Sequence, residues 1–145
     1  MISFLKLLNW VKSMKVLLSI KPSYVDKIRT GRKKFEFRKI IFKNVPDSII
    51  VYETMPVGKV VGEIFFDRIL RDSPKKIWEE TEAYAGISKK RFHKYFGSKK
   101  IAYAIEIEDY REFEEPLSIE NYAEKVGMEI KKAPQSFFYI FENSL

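Results

Sequence analysis

Between Thr30 and Arg38 the chain reads Thr-Gly-Arg-Lys-Lys-Phe-Glu-Phe-Arg. A glycine turn, Lys33, Glu36 and Arg38 fall close together where a strand begins. Successive side chains on a strand alternate faces, so Phe35 and Phe37 point one way and Glu36 and Arg38 the other. The phenylalanines suit a core. The carboxylate and guanidinium then share the opposite face, with Lys33 at the mouth of the turn. Such a face suits a polar, anionic ligand. The competing reading is an exposed strand edge with solvated charges, where an ion pair is worth little.

Each residue type has a chemistry of its own. Lys33 can hold a phosphate, or act as a base if burial lowers its pKa. Arg38 can make a bidentate contact with phosphate, and Glu36 can orient Lys33 or read a base edge. Glu63 lies in the otherwise apolar run Lys59–Leu70, where a carboxylate needs a partner or a shifted pKa. It is the candidate second carboxylate. Gln135 and Ser136 follow Pro134; Ser136 could donate to a phosphate, with no adjacent histidine to activate it as a nucleophile. Tyr52 and Tyr103 could stack on bases or touch phosphates, or be core residues with a wet hydroxyl.

Charge points to the class of partner. The net charge is +7, and it is unevenly spread. Residues 1–45 hold twelve Lys/Arg against two Asp/Glu, and residues 89–100 hold six against none. The C-terminal third is acidic. Lys90 and Lys94 share a helix face in the second basic block. Such blocks suit a polyanion, RNA or DNA; a lysine- and glutamate-rich surface is the bland alternative. The chain has no cysteine and one histidine, His93. Disulfides, thiolate zinc sites and cysteine nucleophiles are therefore excluded. No cofactor motif is present, and a divalent metal on Glu36 and Glu63 is expected only if the protein is a nuclease.

The elements that must position these residues follow from apolar runs and breakers. Strands are predicted over Lys15–Ile20, Lys33–Ile41, Ser48–Glu53, Lys59–Leu70 and Lys100–Tyr110, with a closing strand in Ala133–Ile140. Gly62 marks a bulge or a close approach. Short helices are predicted from Pro22 to Gly31, from Pro74 to about Tyr84, from Ser88 to Phe96, and over Ser118–Val126. Gly86 breaks the second. Trp78, Tyr84, Phe92, Tyr95 and Phe96 fall at helical spacings and are read as core. Several strands lack a crossover helix between them. A mainly antiparallel sheet or small barrel in an α+β domain is expected.

Met1–Ser13 forms an apolar N-terminal extension, with Phe4, Leu7, Leu8 and Val11 on one helical face. It is too short to span a bilayer and lacks the features of a signal peptide. One domain over residues 14–145 and a cytoplasmic protein with no membrane partner are expected.

The order helix, Gly31-x-Lys33-x-x-Glu36-x-Arg38, strand resembles the ASCH domain, a PUA-like family whose hallmark is this G-x-K-x-x-E-x-R pattern. Leu17-Ser19-Ile20-Lys21-Pro22 is similar to the family's opening strand and first helix. Gly58–Glu63 resembles its central strand. Ala133-Pro134-Gln135-Ser136-Phe137 resembles the close of an archaeal and bacterial subgroup described as PUA-like transcriptional regulators. The likeness runs over roughly residues 14–141. It implies a PUA-like β-barrel with short flanking helices, a cleft beneath the hallmark strand, and RNA as ligand, with a role in RNA metabolism or transcription regulation. Lys33, Glu36 and Glu63 would be the catalytic set if the protein is an enzyme. Lys21, Lys33, Arg38, Tyr52, Tyr103, Gln135, Ser136, Lys90 and Lys94 would bind. Some relatives resemble ribonucleases. A distant branch hydrolyses acetylated cytidine with a lysine, a threonine and a glutamate; Lys33 matches its lysine, but Glu36 replaces the threonine. A regulatory module for a nucleotide or another small molecule is the remaining alternative.

Overall fold

The computed structural model describes residues 13–142. Six strands form one sheet in the order β2-β5-β4-β3-β1-β6: β1 (Ser13–Ile20), β2 (Phe35–Arg38), β3 (Ser48–Glu53), β4 (Lys59–Asp72), β5 (Ala102–Leu117) and β6 (Phe137–Glu142). Only β1 and β3 pair in parallel; the other four pairings are antiparallel. The helices are α1 (Pro22–Arg29), α2 (Pro74–Thr81), α3 (Lys89–Phe96) and α4 (Ile119–Val126), with a 3₁₀ turn at Glu82–Tyr84. The α+β class and the mainly antiparallel sheet agree with expectation.

The barrel is not closed. Among the described residues, edge strands β2 and β6 make no ladder with each other. The Arg38 side chain reaches across the gap instead. Its Nη1 donates to the Ser19 carbonyl at 3.4 Å and its Nη2 to the Ser136 carbonyl at 3.2 Å. Two side-chain hydrogen bonds thus stand where a closed barrel has a backbone ladder, and a cleft opens beside them.

Both faces of the central strands are covered, so β1 and β3 read as continuous apolar runs. Val16, Leu18 and Ile20 pack toward Val25 and Ile28 of α1, while Leu17 packs with Ile119 and Tyr122 of α4. A third cluster joins Phe37 of β2 to Ile77 and Trp78 of α2 and to Phe92 and Phe96 of α3. This cluster decides where the site forms, because it holds the α2–α3 connection against β2. Serine side chains cap three helices: Ser73 accepts from the Lys76 amide, Ser88 from Arg91 and Ser118 from Asn121.

Several element ends differ from expectation. The β2 ladder covers four residues of the nine predicted, because the chain leaves β5 after Arg38. Strand β5 runs on to Leu117 through Glu112, Glu114 and Glu115, which are exposed, with no apolar alternation to signal it. The Gly62 reading is met. The register shifts around Val61, and a Cβ on Gly62 would lie 2.7 Å from the Arg111 carbonyl oxygen. The helix expected over Met1–Ser13 lies outside the described residues except for Ser13, which opens β1. No helix among the described residues is long and apolar enough to cross a membrane.

Candidate functional site

Gly31 turns the chain out of α1 with φ +77°, and Lys33 follows two residues later. The Lys33 side chain is 2% exposed. Its stem lies against the Ala85–Gly86 connection. A Cβ on Gly86, which has φ +65°, would fall 2.5 Å from the Lys33 Cβ. Only glycine permits this approach in this conformation. The Lys33 Nζ donates to the Ala85 carbonyl at 2.7 Å. It also lies 5.0 Å from the Tyr24 ring centre and 4.7 Å from that of Phe37, close enough for cation–π attraction. Lys27 donates to the next carbonyl, that of Gly86, at 3.0 Å. Burial pushes the Lys33 pKa down to about 8, Glu36 opposes that shift and Lys27 adds to it.

Glu36 is the other buried charge of the motif, 6% exposed. Its Oε2 is shut from water and has no hydrogen-bond partner. A buried acceptor without a donor is costly. Phe35 and Phe37 join the α2–α3 cluster as the alternation predicts, and Glu36 and Arg38 line the cleft, which Phe37 also borders.

The cleft has a volume of about 600 Å³. One wall is the end of β1 and start of α1 (Ser19, Lys21, Tyr24), the floor is Lys33 and β2, and the far wall is α3 (Arg91, Lys94, Tyr95) with Ile87. Six cationic side chains line it, Lys21, Lys33, Arg38, Lys39, Arg91 and Lys94, against the single carboxylate of Glu36. Low-dielectric walls focus such a field outward onto anions.

The structure brings together Lys21, Lys33, Glu36, Arg38 and Lys94 from the expected set. Ser136 adjoins them through its backbone carbonyl, held by Arg38; Gln135 beside it is exposed. Glu63 does not line the cleft. Its carboxylate accepts from Ser48 and pairs with Lys15 at 3.1 Å, and Lys15 also pairs with Glu142 at 3.0 Å. Glu36 and Ile69 both pair with Ile105, and Glu63 lies six residues from Ile69 on β4. That is about 20 Å of strand. The two carboxylates therefore do not share a metal, and among the described residues no group of three or more His, Asp or Glu could hold one. Glu63 attracted notice through its apolar neighbours, but its partner sits on β1. Tyr52 packs in the α4-side cluster, Tyr103 lies opposite Arg38 and Arg71 in the sheet, and Lys90 is exposed outside the cleft. Tyr24 and Lys39 line the cleft without having been singled out, and so do Arg91 of the second basic block and Tyr95. The helical spacing that placed Phe92 and Phe96 in the core also placed Tyr95 there, yet Tyr95 is 38% exposed.

The sequence profile of the ASCH domain matches residues 18–135. The chain belongs to the ASCH domain family. A crystal structure of a mutant ASCH protein from Zymomonas mobilis superposes with a TM-score of 0.78 at 22% identity, over 90% of this chain and 92% of that one. The PUA-like fold is thus shared. Among curated proteins, an ASCH domain-containing ribonuclease of Zymomonas mobilis is 25% identical over 109 residues, 74% of this chain and 73% of that protein. The ATP synthase subunit alpha of Ureaplasma parvum is 26% identical over 131 residues, 90% of this chain. The chain spans only 16% of that relative's length. In the ASCH hallmark, all four positions are occupied here by Gly31, Lys33, Glu36 and Arg38.

Proposed function

We propose that this ASCH domain binds single-stranded RNA in the cleft between β2, the end of β1 and α3. The observation that carries the reading is the charge of that cleft, six cations to one carboxylate in a volume able to admit a nucleotide. Lys21, Lys39, Arg91 and Lys94 form its rim and meet phosphates. Arg38 is fixed by backbone carbonyls rather than by a carboxylate, which leaves its charge for an anionic ligand. A role in RNA metabolism follows from such binding.

A second reading is ribonuclease activity. Lys33 favours it: a lysine with a pKa near 8, beside the cleft, is suited to take a proton from a ribose hydroxyl. The ribonuclease name of the Zymomonas mobilis relative supports the same reading.

One gel separates the two. Labelled single-stranded RNA is incubated with the protein and with Lys33→Ala, with and without magnesium or manganese. Retarded, intact RNA whose binding weakens at least about tenfold in the variant is the expected result. Cleavage that disappears in the variant would make the domain a ribonuclease. Neither retardation nor cleavage at low salt would overturn the RNA reading.

A further inference from the structure

The face of the sheet that borders the cleft continues past it. Two cross-strand rows run over β2, β5 and β4: Glu36–Ile105–Ile69, and beside it Arg38–Tyr103–Arg71. Residues directly opposite in a ladder share a face, so Arg71 carries the face of Arg38 about 10 Å beyond the cleft. Tyr103 between them is half-buried, and Arg71 is exposed.

Four more cations gather where this row ends. Strand β4 closes at Asp72, opposite Ala102. Lys99 and Lys100 lead into Ala102, and Lys75 and Lys76 open α2 just after Asp72. The Lys99 amide donates to the Phe96 carbonyl at 3.0 Å, which ties this approach to the end of α3. Arg71, Lys75, Lys76, Lys99 and Lys100 are all exposed. Among the described residues none of them belongs to an ion pair. The Asp72 carboxylate in their midst accepts from the Ser73 amide at 2.7 Å. The rest of β5 is the reverse, with six carboxylates between Glu106 and Glu115 against Arg111 alone. A polyanion held in the cleft is drawn toward the first region and repelled from the second. Five cations spread over an open surface suit a chain of phosphates rather than one small anion.

We infer that the RNA strand leaves the cleft across Tyr103 and lays its phosphates on this outlying shoulder, with Arg71, Lys99 and Lys100 at its centre. The shoulder is a second phosphate-binding site, and it makes the preferred ligand longer than the cleft alone can hold. The inference rests on the RNA reading above and assigns the path of the strand outside that site.

The test measures the salt dependence of binding for single-stranded RNAs of about four and about twelve nucleotides. The wild type is compared with a triple variant, Arg71→Ala, Lys99→Ala and Lys100→Ala. These side chains are exposed, so the melting temperature of the variant should hold. In the wild type the long strand should bind more tightly and with a steeper salt slope than the short one. The triple variant should lose about 2 from the logarithmic slope on the long strand, at about 0.7 per contact, and nothing on the short strand. Equal slopes for the two lengths in the wild type would overturn the shoulder and leave RNA binding in the cleft standing. A long-strand slope unchanged in the variant, or an equal loss on both lengths, would also overturn it. Binding of neither strand would overturn both readings.

Discussion

Lys33 is held in a place where its charge is costly. The folded chain lowers its pKa from 10.5 to about 8. Between those values the unfolded chain carries a proton that the folded chain has lost, so this residue makes stability rise with pH across that window. Below pH 8 both states are protonated, and the full cost of the buried charge is borne. Lys33→Met should therefore raise stability near pH 7, by about 1–3 kcal/mol less the loss of the bond to Ala85. It should also flatten the rise between pH 8 and 10 seen in the wild type, as measured by denaturant unfolding at several pH values. Ligand affinity should move in the opposite sense: it should fall as pH passes about 8 in the wild type, because the neutral amine no longer attracts an anion. A variant that is more stable and unable to bind is the pattern of a residue kept for function. The sequence showed which face Glu36 and Arg38 would take, since strand alternation is local. It did not show that Lys33 is buried. A lysine two residues after a glycine reads as a solvated turn residue, and its cover comes from Ala85 and Gly86, more than fifty positions away.

At the scale of elements, two connections build the site. The Ala85–Gly86 connection is carried there by the Ile77, Trp78, Phe92 and Phe96 cluster that anchors α2 and α3 on β2. Gly86→Ala combines a positive φ with a Cβ 2.5 Å from the Lys33 Cβ. It should cost about 2 kcal/mol or more and displace Lys33. Reduced RNA affinity together with a lower midpoint in denaturant would confirm this, and an unchanged midpoint would contradict it. The second connection is Arg38, which joins edge strand β2 to Ser19 of β1 and to Ser136 just before β6. Arg38→Met should leave both carbonyls without their donor, at a cost of about 1–2 kcal/mol. Hydrogen exchange should quicken selectively in β2 and β6, the two unpaired edges. The positions of helices and strands were readable because prolines, serine caps and glycines punctuate the chain. The gap in the barrel was not readable. Closure depends on how far β2 extends, and a four-residue ladder looks the same in sequence as a longer one.

Across the whole molecule, the charge blocks acquire meaning only after folding. The first basic block supplies Lys21, Lys33, Arg38 and Lys39 to one side of the cleft, and the second supplies Arg91 and Lys94 to the other. Residues far apart in the chain thus combine into one positive opening. Lys90, on the same helix, is exposed and left outside the cleft. Acidic residues go elsewhere: Glu53 and Glu112 pair with Arg29, and Glu63 with Lys15. Sequence blocks announced a polyanion partner without locating it, since the location depends on the packing of α3. The most direct measurement is the dissociation constant for a short single-stranded RNA as a function of salt, for the wild type and for Arg91→Ala combined with Lys94→Ala. Each phosphate contact on a single strand adds about 0.7 to the logarithmic salt slope, so the double variant should lose about 1.4. Identical slopes for the two proteins, or no binding at low salt, would contradict the account.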